Sequence, residues 1–384
     1  MSRQALIERV VRELSSYERP SASDGERRAA DWLAGELRAA GARDTRIEEE
    51  PGRGGYWWPL GLLNAGPAVA TLLGRRAAAL VGGAAAAAIY DDVSGGKLWF
   101  RRRALPQLAT WNVVAELGDP EARRTVVFVA HHDAAHSGLV FHPALPRKGM
   151  ELMPKLHARA TQSVPIMFGV FLGPVLLALW GLLGRRWLKR CGMFFSLGAI
   201  ACMANIGASK VVPGANDNLS AVAVLVALAH ELAEHPPEGV RVILLSTGSE
   251  ESFMEGMQGF GARHFAELPR DTTEFVCLEC VGSPQLCVVE GEGMLRMRDY
   301  PESSREALAR AGAAAGIELR RGLRTVAATD ALIALRAGYP TSTLGGVDET
   351  KFPANYHWPS DIPDNLDWSS VDGAVEVCLR YLDT

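Results

Sequence analysis

Between Val164 and Leu183 the chain carries no charged side chain, and this length matches the roughly 20 residues an α-helix needs to cross a bilayer core. Gly192 to Ala208 is a second apolar stretch, joined to the first by Gly184-Arg185-Arg186-Trp187-Leu188-Lys189-Arg190. Upstream, Trp57 to Leu73 and Ala77 to Tyr90 flank Gly74-Arg75-Arg76 in the same way. Each block reads as a helical hairpin with a basic tip. Ala77 to Tyr90 is short for a span, and its alanines and glycines suit close helix packing. Trp57, Trp58, Tyr90, Trp99, Trp180 and Trp187 fall near the ends of these stretches, as interfacial aromatic residues do. The expected setting is membrane association, in an inner membrane of bacterial type with lipid around the hairpins; a soluble cap of helices packed over a cleft is the alternative. Arginines at both tips favour tips on the cytoplasmic side, while Arg101-Arg102-Arg103 and Arg147-Lys148 pull the other way, so the side of the polar region stays open. The first fifty residues have helical periodicity and no signal-peptide pattern.

The polar remainder, residues 1–50, 108–136 and 211–384, is expected to join into a single α/β domain, with 51–107 and 137–210 as its two insertions. The fold class this implies is a mixed, mostly parallel central sheet flanked by helices. Strands are expected at Asn112–Glu116, Val126–Ala130, Val240–Leu245, Phe275–Leu278, Gln285–Val289 and Pro340–Leu344. Helices are expected at Asn218–Ala233, Ser303–Ala314, Asp330–Arg336 and Ser369–Tyr381. A formal net charge of -4 with no clustered basic stripe excludes nucleic acid as the expected partner. Six irregularly spaced cysteines make no disulfide framework, and Cys277 and Cys280 sit in an apolar run whose strand geometry points residues three apart to opposite faces.

The ends of these strands carry the chemistry. Val240 to Leu245 reads as a strand buried on both faces, and Glu250-Glu251 lie just beyond its C-terminal end, where open α/β sheets bind ligands. Val126 to Ala130 runs into His131-His132-Asp133, and Phe275 to Leu278 into Glu279. Asp217 sits in the tight loop Pro213-Gly214-Ala215-Asn216-Asp217-Asn218, and His357 in the proline-bounded loop Asn355-Tyr356-His357-Trp358-Pro359. Taken singly, an acid pair is more often a helix start and an Asp in such a loop a cap. Together, two histidines and three carboxylates match the donor set of zinc, and a shared carboxylate lets two ions sit about 3.5 to 4 Å apart. A water there is acidified toward neutral pH, and one carboxylate free of metal is needed to take its proton.

The order of these stretches, Ala130-His131-His132-Asp133, Gly214-Ala215-Asn216-Asp217-Asn218, Ser249-Glu250-Glu251, Leu278-Glu279 and Tyr356-His357, resembles the M28 family of zinc peptidases, which includes bacterial aminopeptidases. The resemblance implies a zinc-exopeptidase-like fold and two co-catalytic Zn2+ ions, one held by His131, Asp217 and Glu279, the other by Asp217, Glu251 and His357. It implies Glu250 as general base and Asp133 as the acid that orients His131. His132, Tyr356 and Asp330, the last in a segment like the family's late Ser-Asp, are candidates for substrate contact. Glu279 stands where the family usually has Asp, which leaves single-zinc operation open. Hairpins beside the site extend the expected substrate from peptides to apolar peptide-like molecules. The leading reading is a membrane-associated aminopeptidase. The alternatives are glutaminyl-cyclase-like or amidohydrolase activity, or an inactive membrane receptor or scaffold.

Overall fold

The amphipathic helices α1 (Arg3–Leu14) and α2 (Asp24–Ala39) open the chain, each capped by a serine whose Oγ accepts a first-turn N–H, Ser2 from Ala5 and Ser23 from Glu26. Strand β1 (Arg43–Gly52) follows, then helices α3 (Trp57–Ala70) and α4 (Arg75–Val93) and the single turn α5 (Arg101–Ala104). After β2 (Leu108–Gly118) and β3 (Arg124–His131) come the short helices α6 (Ala144–Leu152) and α7 (Pro154–Arg159) and the long ones α8 (Ile166–Leu183), α9 (Arg186–Ala208) and α10 (Ser220–Glu234). The remainder alternates: β4 (Val240–Thr247), α11 (Glu255–His264), β5 (Thr273–Glu279), β6 (Gln285–Glu292), β7 (Arg298–Asp299), α12 (Glu302–Ala314), β8 (Arg320–Thr325), α13 (Ala331–Ala337), β9 (Thr341–Val347) and α14 (Trp368–Leu382). This computed structural model describes residues 1–163 and 165–384; Val164, the first residue of the uncharged run, lies outside the described residues.

Among the described residues the strands form one mixed sheet in the order β1-β2-β4-β3-β5-β9-β6-β7, with β8 paired to β6. Its centre, β4-β3-β5-β9, is parallel; the flanks β1-β2-β4 and β9-β6-β7 are antiparallel. The central strands read as continuous apolar runs because both faces are covered. One face packs against α1, α2, α10 and α14 through residues such as Leu14, Leu33, Val224 and Val375. The other packs against α11, α13 and the bases of the apolar helices, where Leu60, Ile89 and Ile206 join the same core as Val129 and Phe275.

Residues 43–50 depart from the helical periodicity expected of the N-terminus. They pair with β2 as an edge strand, and their acids find remote cations: Glu50 meets Arg263 at 2.7 Å and Glu48 meets His264 at 2.8 Å. Those partners lie two hundred residues away in sequence, beyond the reach of a local pattern.

The two hairpins pack together as a four-helix bundle. Small residues let the helices touch: a Cβ on Gly82 of α4 would stand 2.8 Å from the carbonyl oxygen of Pro174 in α8, and one on Gly181 of α8 would stand 2.4 Å from that of Arg75. The two tips meet where the Arg75 guanidinium donates to the Leu182 carbonyl at 2.8 Å, at the negative end of α8. Helices α8 and α9 are long and apolar enough to cross a membrane, with mean hydropathy of 2.3 and 1.6 over their most apolar windows, and 28% of each window is buried inside the protein. At 1.5 Å per residue α8 is about 27 Å long. Leu72, Leu80, Leu182, Trp187 and Phe194 stand exposed on the bundle surface.

Candidate metal centre

The parallel register builds the first half of the site. Val129 pairs with Cys277, which sets His131 and Glu279 level at the ends of neighbouring strands. Asp217 enters from the turn Ala215–Leu219, whose backbone leaves helical geometry at Asp217 (φ -109, ψ 87) and Asn218 (φ -135, ψ 30). That turn is pinned on both sides. Asp361 accepts the N–H groups of Asn216 and Asp217 at 2.6 and 3.1 Å. The Asn218 amide donates to the Leu278 carbonyl at 2.8 Å, and its oxygen accepts the Cys280 N–H at 3.0 Å. Glu250 and Glu251 follow β4 through Ser249, which has a positive φ of 50°, and His357 shares that left-handed conformation.

These elements converge on Asp217. Its Oδ1 lies 3.2 Å from His131 Nε2 and its Oδ2 3.2 Å from His357 Nε2. Glu251 Oε1 is 3.1 Å from the same His357 nitrogen, Glu279 Oε1 is 3.8 Å from His131 Nε2, and Glu250 Oε2 is 4.0 Å from it. His131, Asp217 and Glu251 bring one donor atom each within 4.8 Å of one another; so do Asp217, Glu279 and Cys280. The grouping differs from the one the resemblance implies, in that Glu251 also faces His131 and Cys280 adds a sulfur beside Glu279.

The chemistry of this donor set fits a divalent cation. Asp133, Asp217, Glu250, Glu251 and Glu279 crowd together at 0–18% side-chain exposure, and among the described residues their only ion-pair partners are histidines. Burying five carboxylates without compensating positive charge is strongly unfavourable. His131 Nε2 and Asp217 Oδ2 are buried without a hydrogen bond of good geometry, although each has the other histidine–aspartate atoms within reach. Titration behaviour agrees. Burial alone would lower the histidines, yet Glu251 and Asp217 push His357 up to about 10, and Asp133, Asp217 and Glu279 hold His131 well above its ordinary value. Burial opposes ionisation of Asp217, but the two imidazoles keep its carboxyl well below the usual range. For Glu250, burial dominates, and with Glu251, Asp330 and Glu279 nearby its carboxyl is held well above the ordinary value despite His131.

A supporting layer holds these groups, and much of it escaped the sequence reading. Asp133 Oδ1 lies 3.3 Å from His131 Nδ1, and its two oxygens accept the backbone N–H groups of Glu250 (3.1 Å) and Glu251 (3.2 Å). Glu26, buried at the start of α2, accepts from the Ser249 N–H and hydroxyl (3.0 and 2.9 Å) and from the Thr110 hydroxyl (2.6 Å). Arg19, also buried, donates to the carbonyls of His132, Pro213 and Gly214, joining the β3 end to the Asp217 loop. A glutamate three residues after a serine signals a helix start, and only its burial shows the second task.

Of the substrate-contact candidates, Tyr356 alone lines the cleft, its ring stacked on His357 with centroids 3.9 Å apart. His132 does not face the cluster: Nδ1 pairs with Ser246 Oγ at 2.9 Å, and burial lowers its pKa to about 3. Asp330 sits behind Thr247, whose hydroxyl it accepts, and burial raises it to about 7.

Fold and donor set together define a zinc-exopeptidase-like architecture. The sequence matches peptidase family M28 over residues 200–382, a span that contains Asp217, Glu250, Glu251, Glu279 and His357 and leaves His131 and Asp133 upstream. The structure is similar to a Zn-dependent exopeptidase from Parabacteroides distasonis (TM-score 0.58, 14% identity, covering 99% of this chain and 97% of that one). It is also similar to a glutaminyl cyclase from Bacteroides thetaiotaomicron (TM-score 0.56, 14% identity, 99% and 97%) and to a leucine aminopeptidase precursor from the same organism (TM-score 0.54, 14% identity, 99% and 96%). At these identities the likeness concerns the fold. No curated protein sequence matches the chain.

Proposed function

We propose that the protein is a membrane-embedded zinc exopeptidase, an aminopeptidase in its leading form. The observation that carries the reading is the division of Asp217, one carboxylate oxygen toward each of two histidines at 3.2 Å, with Glu250 4.0 Å from His131. His131, Asp217 and Glu279 would hold one zinc ion, and Asp217, Glu251 and His357 a second. When bound, the metal would polarise the amide carbonyl and acidify a water. The chain's own residues do the rest. Glu250 takes the water's proton and delivers it to the departing amine. Asp133 keeps His131 oriented. The bundle supports anchoring in a bilayer, since exposed leucines and Trp187 surround helices of spanning length.

Glu250→Gln tests the base: zinc content should stay near that of the unmodified protein while turnover on aminoacyl arylamides falls by ~10²-fold or more. Unchanged turnover would remove Glu250 from the role. Carbonate washing should leave the protein in membranes and detergent should release it. Cyclase neighbours of equal similarity keep one second reading in play, cyclisation of an N-terminal glutaminyl amide; product analysis on peptides starting with Gln separates ammonia release from peptide-bond cleavage.

A further inference from the structure

The cleft over the acids is not walled by the peptidase-like core alone. A cavity of about 180 Å³ is lined by Glu250, Glu251, Asp217 and His357 together with Met167 and Val170 of α8 and Cys202, Met203 and Ile206 of α9. The last five residues come from the apolar hairpin, at the end of the bundle farthest from its tip. The cavity continues past Val140, Phe141 and Ile166 into a second of about 430 Å³ beneath α6 and α7. That roof is itself amphiphilic: Leu145, Leu152, Met153 and Leu156 are exposed, interspersed with Arg147, Lys148, Lys155 and Arg159. Basic groups with exposed leucines suit an anionic bilayer interface.

Beyond the acids and His357, the described wall is mainly apolar, with Ser163, Thr325, Thr329 and Thr343 among its neutral polar side chains. The arginine and lysine lining the first cavity are engaged, Arg324 with Asp299 at 2.7 Å and Lys351 with the carbonyl of Ala160 at 2.8 Å and that of His157. Met167, Met203, Met254 and Met294 give the lining unbranched side chains that adapt to flexible apolar ligands.

We infer that the substrate is an amide carrying a linear hydrocarbon chain, taken from the bilayer interface with its chain lying between the bases of α8 and α9 and its carbonyl at the acids. This rests on the metal-assisted amide hydrolysis of the reading above, and names an acyl amide in place of an aminoacyl one as the substrate class. The reaction balances as hydrolysis: water's oxygen bonds to the carbonyl carbon, the C–N bond breaks, and a carboxylic acid and an amine leave, the amine taking its proton through Glu250.

The test uses the full zinc-loaded chain in lipid nanodiscs and a series of N-acyl anilides from acetyl to lauroyl. The ratio kcat/KM should rise by ~fourfold for each added methylene until the chain outgrows the cavity. Met203→Trp should lower the lauroyl rate at least tenfold more than the acetyl rate, a difference that partition of the longer amides into lipid does not produce; zinc content reports folding of the variant. A second readout needs no turnover. Lauroyl anilide, and not acetyl anilide, should slow alkylation of Cys202 by a maleimide while leaving Cys191, exposed farther along α9, unchanged. Hydrolysis without chain-length preference and without Cys202 protection overturns the inference and leaves the hydrolase standing. Protection without hydrolysis of any acyl anilide keeps the chain site and overturns acyl-amide hydrolysis, and turnover of aminoacyl arylamides decides the aminopeptidase reading separately; failure of both anilide readouts overturns the inference.

Discussion

The backbone N–H of Glu250 donates to Oδ1 of Asp133 at 3.1 Å, the same oxygen that lies 3.3 Å from His131 Nδ1. One carboxylate thus sets both the ring that faces the metal position and the turn that carries the proposed base. Asp133→Asn offers one acceptor where two are used, and turns an N–H₂ toward a backbone N–H. Zinc affinity should fall ~10–100-fold and kcat with it. An affinity loss with unchanged kcat at saturating zinc would mean that Asp133 orients the ligand and not the base.

Asp217 is the group both halves of the site share. Asp217→Ala should abolish zinc binding at both positions, measured as metal per chain after dialysis, whereas Glu279→Ala should spare the half built on Glu251 and His357. Retention of two ions by the Asp217 variant would refute the shared-ligand arrangement.

Behind the cleft wall, Glu292 accepts the Tyr300 hydroxyl at 2.7 Å and the Thr329 N–H at 2.6 Å in a fully buried setting. Burial pushes its pKa up to about 8. With the folded value raised above an unfolded value near 4.5, the stabilising effect is complete below pH ~4.5 and is lost progressively as pH rises to about 8. Glu292→Gln keeps both bonds, with its amide donating to Tyr300 and Tyr300 to Thr343. Thermal unfolding of the variant should fall less between pH 6 and 8.5 than that of the unmodified chain.

Arg101 and Asp92 form a pair with no exposed side-chain surface, 3.4 Å apart, and Arg101 also donates to the Ser252 carbonyl at 2.7 Å, next to Glu251. Arg101→Ala leaves the Asp92 carboxylate buried without a partner, at a cost of about 3–5 kcal/mol. The double change Arg101→Met with Asp92→Asn should recover most of the lost Tm while leaving kcat low, because the tie from the bundle base to the catalytic turn stays cut. Full recovery of kcat would show that the pair serves stability alone.

Read alone, the sequence located the central strands and both hairpins from short-range signals, and seven cluster residues from strand ends and loops in an order that resembles the M28 family. A strand covered on both faces must be continuously apolar, and a helix in lipid must lack charge. The matches are close: Val240–Leu245 was expected where β4 spans Val240–Thr247, and Val164–Leu183 where α8 spans Ile166–Leu183. Other features had no local signature. Glu26 and Arg19 drew no reading, and residues 43–50 were included in a helical periodicity, since their partners Ser249, Gly214 and Arg263 stand more than a hundred residues away. His132 shares a motif with His131 and Asp133, yet its side chain pairs with Ser246, and Asp330, a candidate from a segment of its own, pairs with Thr247. Composition determined which residue types this protein could bring to a metal and to a membrane. The packing of α8 and α9 against the cleft, which depends on contacts between segments distant in the chain, decided that the buried acids and the apolar helices line one cavity.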